Sequence, residues 1–164
     1  MTEPALREEL LARAAEDQRI RLTNNPSIVE WWKIDADNAK FMRRVIDVHG
    51  WPGKRMVGSD GALAAFLLVQ HVANDLEFQK KCLVLIEEAV AEGEALPAHA
   101  VYLTDRLLVQ QGKPQHYGTQ LQSLAGKQMP FSIEDEANVD ARRAKVGLPP
   151  LEDYLREVDG MNHR

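Results

Sequence analysis

The sequence predicts a mainly α protein, a single domain with a helical, bundle-like core and a short β-hairpin or ordered loop towards the C-terminus. Three observations carry this. Apolar residues recur at intervals of three and four as far as Gln111, glycine and proline fall at the joints, and after Pro114 the pattern breaks into short segments of mixed polarity. A chain of 164 residues, 45% of them hydrophobic, suits one core, since that length buries roughly 70% of the surface its unfolded form exposes.

The elements follow in order. Leu6, Leu10, Leu11 and Ala14 fall at helical spacing, followed by Asp17, Arg19 and Arg21, and the pattern ends before Asn24-Asn25-Pro26. This N-terminal amphipathic helix, within residues 1–25, reads as a peripheral element that can cover the body or mediate a homodimer. A second helix is expected over residues 35–48, with Phe41, Val45 and Val48 inward, stopped by Gly50 and Pro52. The loop 51–58 follows. Ser59-Asp60 can cap a third helix whose Leu63, Ala64, Phe66, Leu67 and Leu68 leave it apolar almost all round, which belongs at the centre of a domain.

Asn74 or Asp75 ends that helix or caps the next, which carries Phe78, Cys82, Leu85, Ile86 and Ala89 before Gly93. Pro97 suits the first turn of a fifth helix that closes at Gly112 and Pro114. Residues 117–121 and 129–133 flank the turn-like Ala125-Gly126-Lys127 as a hairpin or ordered loop. Asn138 can cap a helix through Val146 with Gly147 at its exit, and residues 151–158 suit a last short helix after Pro149-Pro150.

Composition removes several function classes. No apolar run approaches the roughly 20 residues that span a bilayer, so no membrane partner is expected. The charged start lacks the apolar core of a secretory signal, which predicts a cytoplasmic protein. Cys82 is the only cysteine and reads as a small buried apolar residue; a multi-cysteine metal site is excluded. With 25 acidic against 20 basic residues, nucleic acid is not expected as a partner. Walker, dinucleotide, Gly-x-Ser-x-Gly and His-Glu-x-x-His signatures are missing.

Some residues do not fit a plain core. His71 shares a helical face with Ala64, Leu67 and Leu68 and should point inward, and Asp75, four positions later, can hold its ring. Asp75 serves equally as a cap. Asp105 and Arg106 interrupt the apolar stretch from Val101 to Val109; neighbours on a helix diverge, so at least one must reach another element or a pocket. Gln115 to Gln120 is a polar run beside Gly118, offering directed hydrogen bonds, while His116 is expected at the surface and His99 and His163 are given no role. Trp51 in His49-Gly50-Trp51-Pro52 either clasps a helix exit or covers a pocket, and Trp31-Trp32 can pack the first helix onto the body.

At these clusters the chain resembles a family of small, mostly uncharacterised bacterial helical proteins, a domain of unknown function. The resemblance rests on His49-Gly50-Trp51-Pro52, on Gln70-His71 with Asp75, on Tyr102-Leu103-Thr104-Asp105-Arg106 and on Tyr117-Gly118-Thr119-Gln120, and it covers residues 35–155. It implies no reaction. The residues themselves suggest a cofactor-independent acid–base enzyme that hydrolyses, eliminates from or cyclises a small polar metabolite or modified amino acid. In this reading His71, Asp75 and Asp105 are catalytic, and Arg106, Tyr102, Tyr117, Thr119, Gln120, Gln70 and Trp51 bind substrate. A non-catalytic module binding a small molecule or peptide is the first alternative. The second is a mononuclear metal enzyme using His71, Asp75, Asp105 and His49 or His116, although no two histidines share a recognised short ligand spacing.

Overall fold

In the computed structural model, residues 1–23, 27–72, 75–124 and 127–162 are described. They form seven α-helices and a two-stranded antiparallel sheet, a mainly α fold. The expected features at Asn24-Asn25-Pro26, Asn74, Ala125-Gly126 and His163 lie outside the described residues. Contacts gather the chain into two compact units, residues 1–96 and 97–164. The second begins at Pro97 rather than at the change of composition after Pro114.

The first unit holds α1 (Pro4–Arg21), α2 (Ile28–His49), α3 (Lys54–Gln70) and α4 (Leu76–Ala91). Pro4 opens α1 where its missing N–H costs nothing, and Leu10, Ala14, Asp17 and Ile20 are its buried stripe. The helix is therefore integral to the core, packed on α2 and α3. On α2, Phe41, Met42, Val45 and Ile46 face inward, whereas Val48 is 75% exposed. The buried stripe ends at Ile46, short of the expected Val48. α2 also starts seven residues before residue 35, through a turn whose Ile28, Val29 and Trp32 are all exposed and so give no inward stripe to read. Gly50, at φ 73°, ends it as glycine can without strain.

The segment 54–57, expected as loop, is a helical turn that joins α3 across a break at Gly58 (φ 76°, ψ 167°). Beyond the break α3 buries Ala62, Ala64, Ala65, Phe66, Leu68 and Val69, the central helix that its composition predicts. Asp75 caps α4 by accepting from the Phe78 N–H at 3.0 Å. Phe78, Cys82, Ile86 and Ala89 form its inner face. Burial pushes the Cys82 thiol up to about 12, so it stays protonated and chemically quiet.

The second unit holds α5 (Pro97–Gln110), β1 (Leu121–Leu124), β2 (Lys127–Pro130), a 3-10 turn (Glu136–Asn138), α6 (Val139–Lys145) and α7 (Leu151–Asn162). The hairpin pairs Leu121 with Pro130 and Leu124 with Lys127. Fully buried Gln115 straps its base, donating to the carbonyls of Gln120 and Phe131 and accepting from the Gln120 N–H, all within 2.9–3.0 Å. At Gly118 the backbone takes φ +71°, and an added Cβ would lie 2.9 Å from both Ile133 Cδ1 and Leu151 Cδ1. Gly118→Ala is expected to cost about 2 kcal/mol through overpacking added to backbone strain. Gly147→Ala has a similar φ (+73°) but open space. It should cost about 1 kcal/mol. Thermal unfolding of both variants checks this, and equal losses would remove packing as the cause.

Candidate functional site

A buried polar cluster of the first unit is built from three helices. Asp17 and Arg21 stand one turn apart on α1, Trp31 and Asp35 one turn apart on α2, and His71 is the residue at which α3 ends. His71 Nδ1 lies 2.7 Å from Asp17 Oδ2. Arg21 reaches Asp17 Oδ1 through Nε at 3.1 Å and Nη2 at 3.0 Å, and Gln18 donates to Oδ2 at 3.0 Å. Asp17 itself is 1% exposed.

The cluster continues outward from Arg21, whose Nη2 also donates to Asp35 Oδ1 at 2.5 Å and whose guanidinium stacks over the Trp31 ring at 5.3 Å. One cation thus bridges two carboxylates. Burial pushes the Asp17 carboxyl up, but hydrogen bonds from His71 and Arg21 outweigh it and hold the group below its ordinary value. Burial also pushes Asp35 up, and the Asp17 charge adds to that, so Asp35 stays above its ordinary value despite the pull of Arg21 and His71. Two carboxylates on one arginine are driven in opposite directions. That is the pattern by which acid–base sites assign roles.

An ionised Asp17 requires the proton of neutral His71 to sit on Nδ1, which leaves the Nε2 lone pair as a base. Gln70 Nε2 approaches it at a long 3.4 Å. The inward-pointing imidazole held by a carboxylate is the expected arrangement with a different partner. Asp75 caps α4 and pairs with Arg43, whereas the carboxylate on the ring is Asp17 of the first helix. A carboxylate on the stripe Leu10, Ala14, Asp17, with Arg21 one turn on, was the available signal for it.

Trp51 is 9% exposed and lines a cleft of about 410 Å³ with Gly53, Met56, Leu85, Glu88 and Glu94, and His49, the last residue of α2, is exposed. Trp32 is exposed, and Trp31 alone packs against α1 through Arg21.

In the second unit Asp105 is completely buried and accepts four donors: the N–H groups of His116 (2.8 Å), Tyr117 (3.1 Å) and Thr119 (3.0 Å) and the Thr119 hydroxyl (3.0 Å). The carbonyls of the same loop are taken from the other side. Arg142 Nε holds that of His116 at 2.9 Å, Arg143 Nη1 that of Tyr117 at 2.6 Å and Tyr154 Oη that of Thr119 at 3.1 Å. Arg143 is itself 1% exposed, stacks on Tyr154 and is pushed below its ordinary value by burial.

The geometry therefore gathers Asp105, Tyr117 and Thr119 around one loop, with Gln120 Nε2 3.5 Å from the Tyr102 carbonyl and Tyr102 edge-on to Tyr154. The Asp105 carboxylate is spent mainly on backbone N–H groups, and the Thr119 hydroxyl on Asp105 and Gln120 Nε2. Arg106 is half-buried on α5, and His116 pairs with Glu134 at 2.8 Å near the surface. His99, expected to do nothing specific, is 4% exposed within the core. Among the described residues, no group of three or more His, Cys, Asp or Glu side chains is placed to hold a metal ion, and no helix is long and apolar enough to cross a membrane.

Comparison with known proteins matches residues 4–162 to a family described as a family of unknown function, DUF6624. No curated protein and no solved structure matches the chain.

Proposed function

Because the chain belongs to this family of unknown function, its chemistry has to come from its own residues, and we propose a cofactor-independent acid–base enzyme with His71 as the base. Asp17 is the carboxylate that orients it. The observation that carries the reading is the 2.7 Å contact from His71 Nδ1 to a carboxylate that is 1% exposed and kept ionised by Arg21. Nε2 withdraws a proton from the substrate, Asp17 stabilises the imidazolium that forms, and the same nitrogen returns the proton to a leaving or accepting atom. The substrate class is a small polar metabolite or modified amino acid, and hydrolysis, elimination and cyclisation all need this step.

Asp105 and Asp75 play supporting parts in this reading, one by shaping the loop 116–119 and the other by starting α4. We read the protein as a cytoplasmic one from a bacterium, a reading that a single buried, free cysteine suits. The segments His49-Gly50-Trp51-Pro52, Gln70-His71, Tyr102-Leu103-Thr104-Asp105-Arg106 and Tyr117-Gly118-Thr119-Gln120 are read as signature segments of its family.

The test is mass spectrometry of a mixture of small polar metabolites, N-acyl amino acids and cyclic amino-acid derivatives incubated with the protein. The wild type is expected to consume at least one compound, and His71→Gln to slow that turnover by about 10³-fold while keeping its circular dichroism spectrum. A folded His71→Gln protein with unchanged turnover defeats the assignment. A compound that is retained and released intact by the wild type supports a binding module instead.

A further inference from the structure

We propose that Arg21 and Asp35 are positioning residues that set the proton affinity of His71 through Asp17, an inference that rests on reading His71 as the base. The argument is geometric. Arg21 is the only described group seen to touch both carboxylates, taking Asp17 Oδ1 at 3.0 Å and Asp35 Oδ1 at 2.5 Å, and Trp31 holds its plane from one side. The Asp35, Asp17 and His71 side chains are 11%, 1% and 12% exposed, so water screens the chain of charges poorly.

Consider what each charge does to the ring. Asp17 favours the imidazolium. Arg21 opposes it directly and also draws electron density from Asp17, weakening that oxygen as an acceptor for the ring. Asp35 offsets Arg21. The three charges leave the cluster with one net negative charge while His71 is neutral, and with none once it has taken a proton. The reaction therefore moves the buried site between −1 and 0, never to a net positive charge in a poorly solvated place.

Among the described residues, the charged groups seen to act on His71 come from α1 (Asp17, Arg21) and α2 (Asp35). From α3 the uncharged Gln70 approaches it, and α4 contributes the uncharged Gln79, bonded to the carbonyls of Val69 and Gln70, and the cap Asp75, engaged by Arg43. Arg19, two residues from Arg21, pairs with Glu16 in solvent and serves as the control.

The experiment is a pH titration of the His71 ring resonances by NMR in the full chain, assigned by their loss in His71→Gln. Arg21→Gln is expected to raise the His71 midpoint by about one unit and Asp35→Asn to lower it by about half a unit or more. Arg21→Lys, which keeps the charge, should stay close to the wild type, and so should Arg19→Gln. Midpoints unchanged in folded Asp35→Asn and Arg21→Gln overturn the proposal, as does an equal shift in Arg19→Gln. If Arg21→Gln does not fold, Asp35→Asn decides alone: a fall supports the proposal and an unmoved midpoint overturns it. The shifts bear on the tuning and the metabolite assay on the base, so either can fail separately: shifted midpoints without turnover support the tuning and sink the enzyme, and turnover with unmoved midpoints does the reverse.

Discussion

Asp105→Ala is expected to destabilise the second unit by about 4 kcal/mol, the scale seen when one side of a buried charged network is removed. The loss comes from what stays behind. Three backbone N–H groups and one hydroxyl, those of residues 116, 117 and 119, lose their acceptor at once, and no water reaches a position that is 0% exposed. Thr119→Val removes only one of the four donors and should cost about 1 kcal/mol. Asp105→Asn falls between, since its amide keeps one acceptor oxygen but turns an NH₂ towards the Tyr117 and Thr119 amides. Urea unfolding followed by far-ultraviolet circular dichroism ranks the three variants. An Asp105→Ala protein as stable as Thr119→Val would show that the loop is held through its carbonyls, by Arg142, Arg143 and Tyr154.

A loss of activity as large as that of His71→Gln is expected for Asp17→Asn. An amide in that position presents an NH₂ to His71 Nδ1, which must then accept; the ring proton moves to Nε2 and the base is lost. Losing the base through its tautomer should cost as much as removing it, so the fall is expected to match the roughly 10³-fold loss of His71→Gln. Stability falls as well, with a definite pH signature. The Asp17 carboxyl is held below its unfolded value, near ~3.9. Its contribution is therefore fully present above that value and is lost as pH falls through the lower, folded one. Urea midpoints measured from about pH 2 to pH 6 should show a shallower acid limb in Asp17→Asn than in the wild type. Parallel limbs would remove Asp17 as a source of acid sensitivity.

Much of the helical fold was legible because it depends on short-range pattern. Phe78, Cys82, Ile86 and Ala89 declare the inner face of α4, Gly50 and Pro52 declare a stop, and the apolar girth of Phe66 to Val69 declares a central position. The start of α2 was hidden for the opposite reason. Ile28, Val29 and Trp32 are apolar but exposed, so the usual link between apolarity and an inward face fails there.

The candidate site divides along the same line. That His71 turns inward follows from its spacing to Ala64, Leu67 and Leu68; that its partner is Asp17 does not, because they are 54 residues apart and only packing of α1 against α3 joins them. Asp105 and Arg106 together announced that at least one of them needed a partner beyond its own helix. The partners of Asp105 proved to be mainly backbone amides, which every residue has and no sequence pattern marks, with Gly118 as the one local sign that the loop turns sharply around it.

The distance between Asp17 and His71 along the chain also fixes when the dyad can exist. Joining them closes a loop of 54 residues, an ordering cost that only the packing of α1, α2 and α3 together can offset. On a ribosome, the first helix emerges with a carboxylate on its apolar stripe that has Arg21 beside it but no histidine. It must wait until α3 has been made before its buried face is electrically complete. Any activity at His71 thus waits on the making of α3, and a chain stalled before residue 71 carries the orienting half of the site without the half that would react.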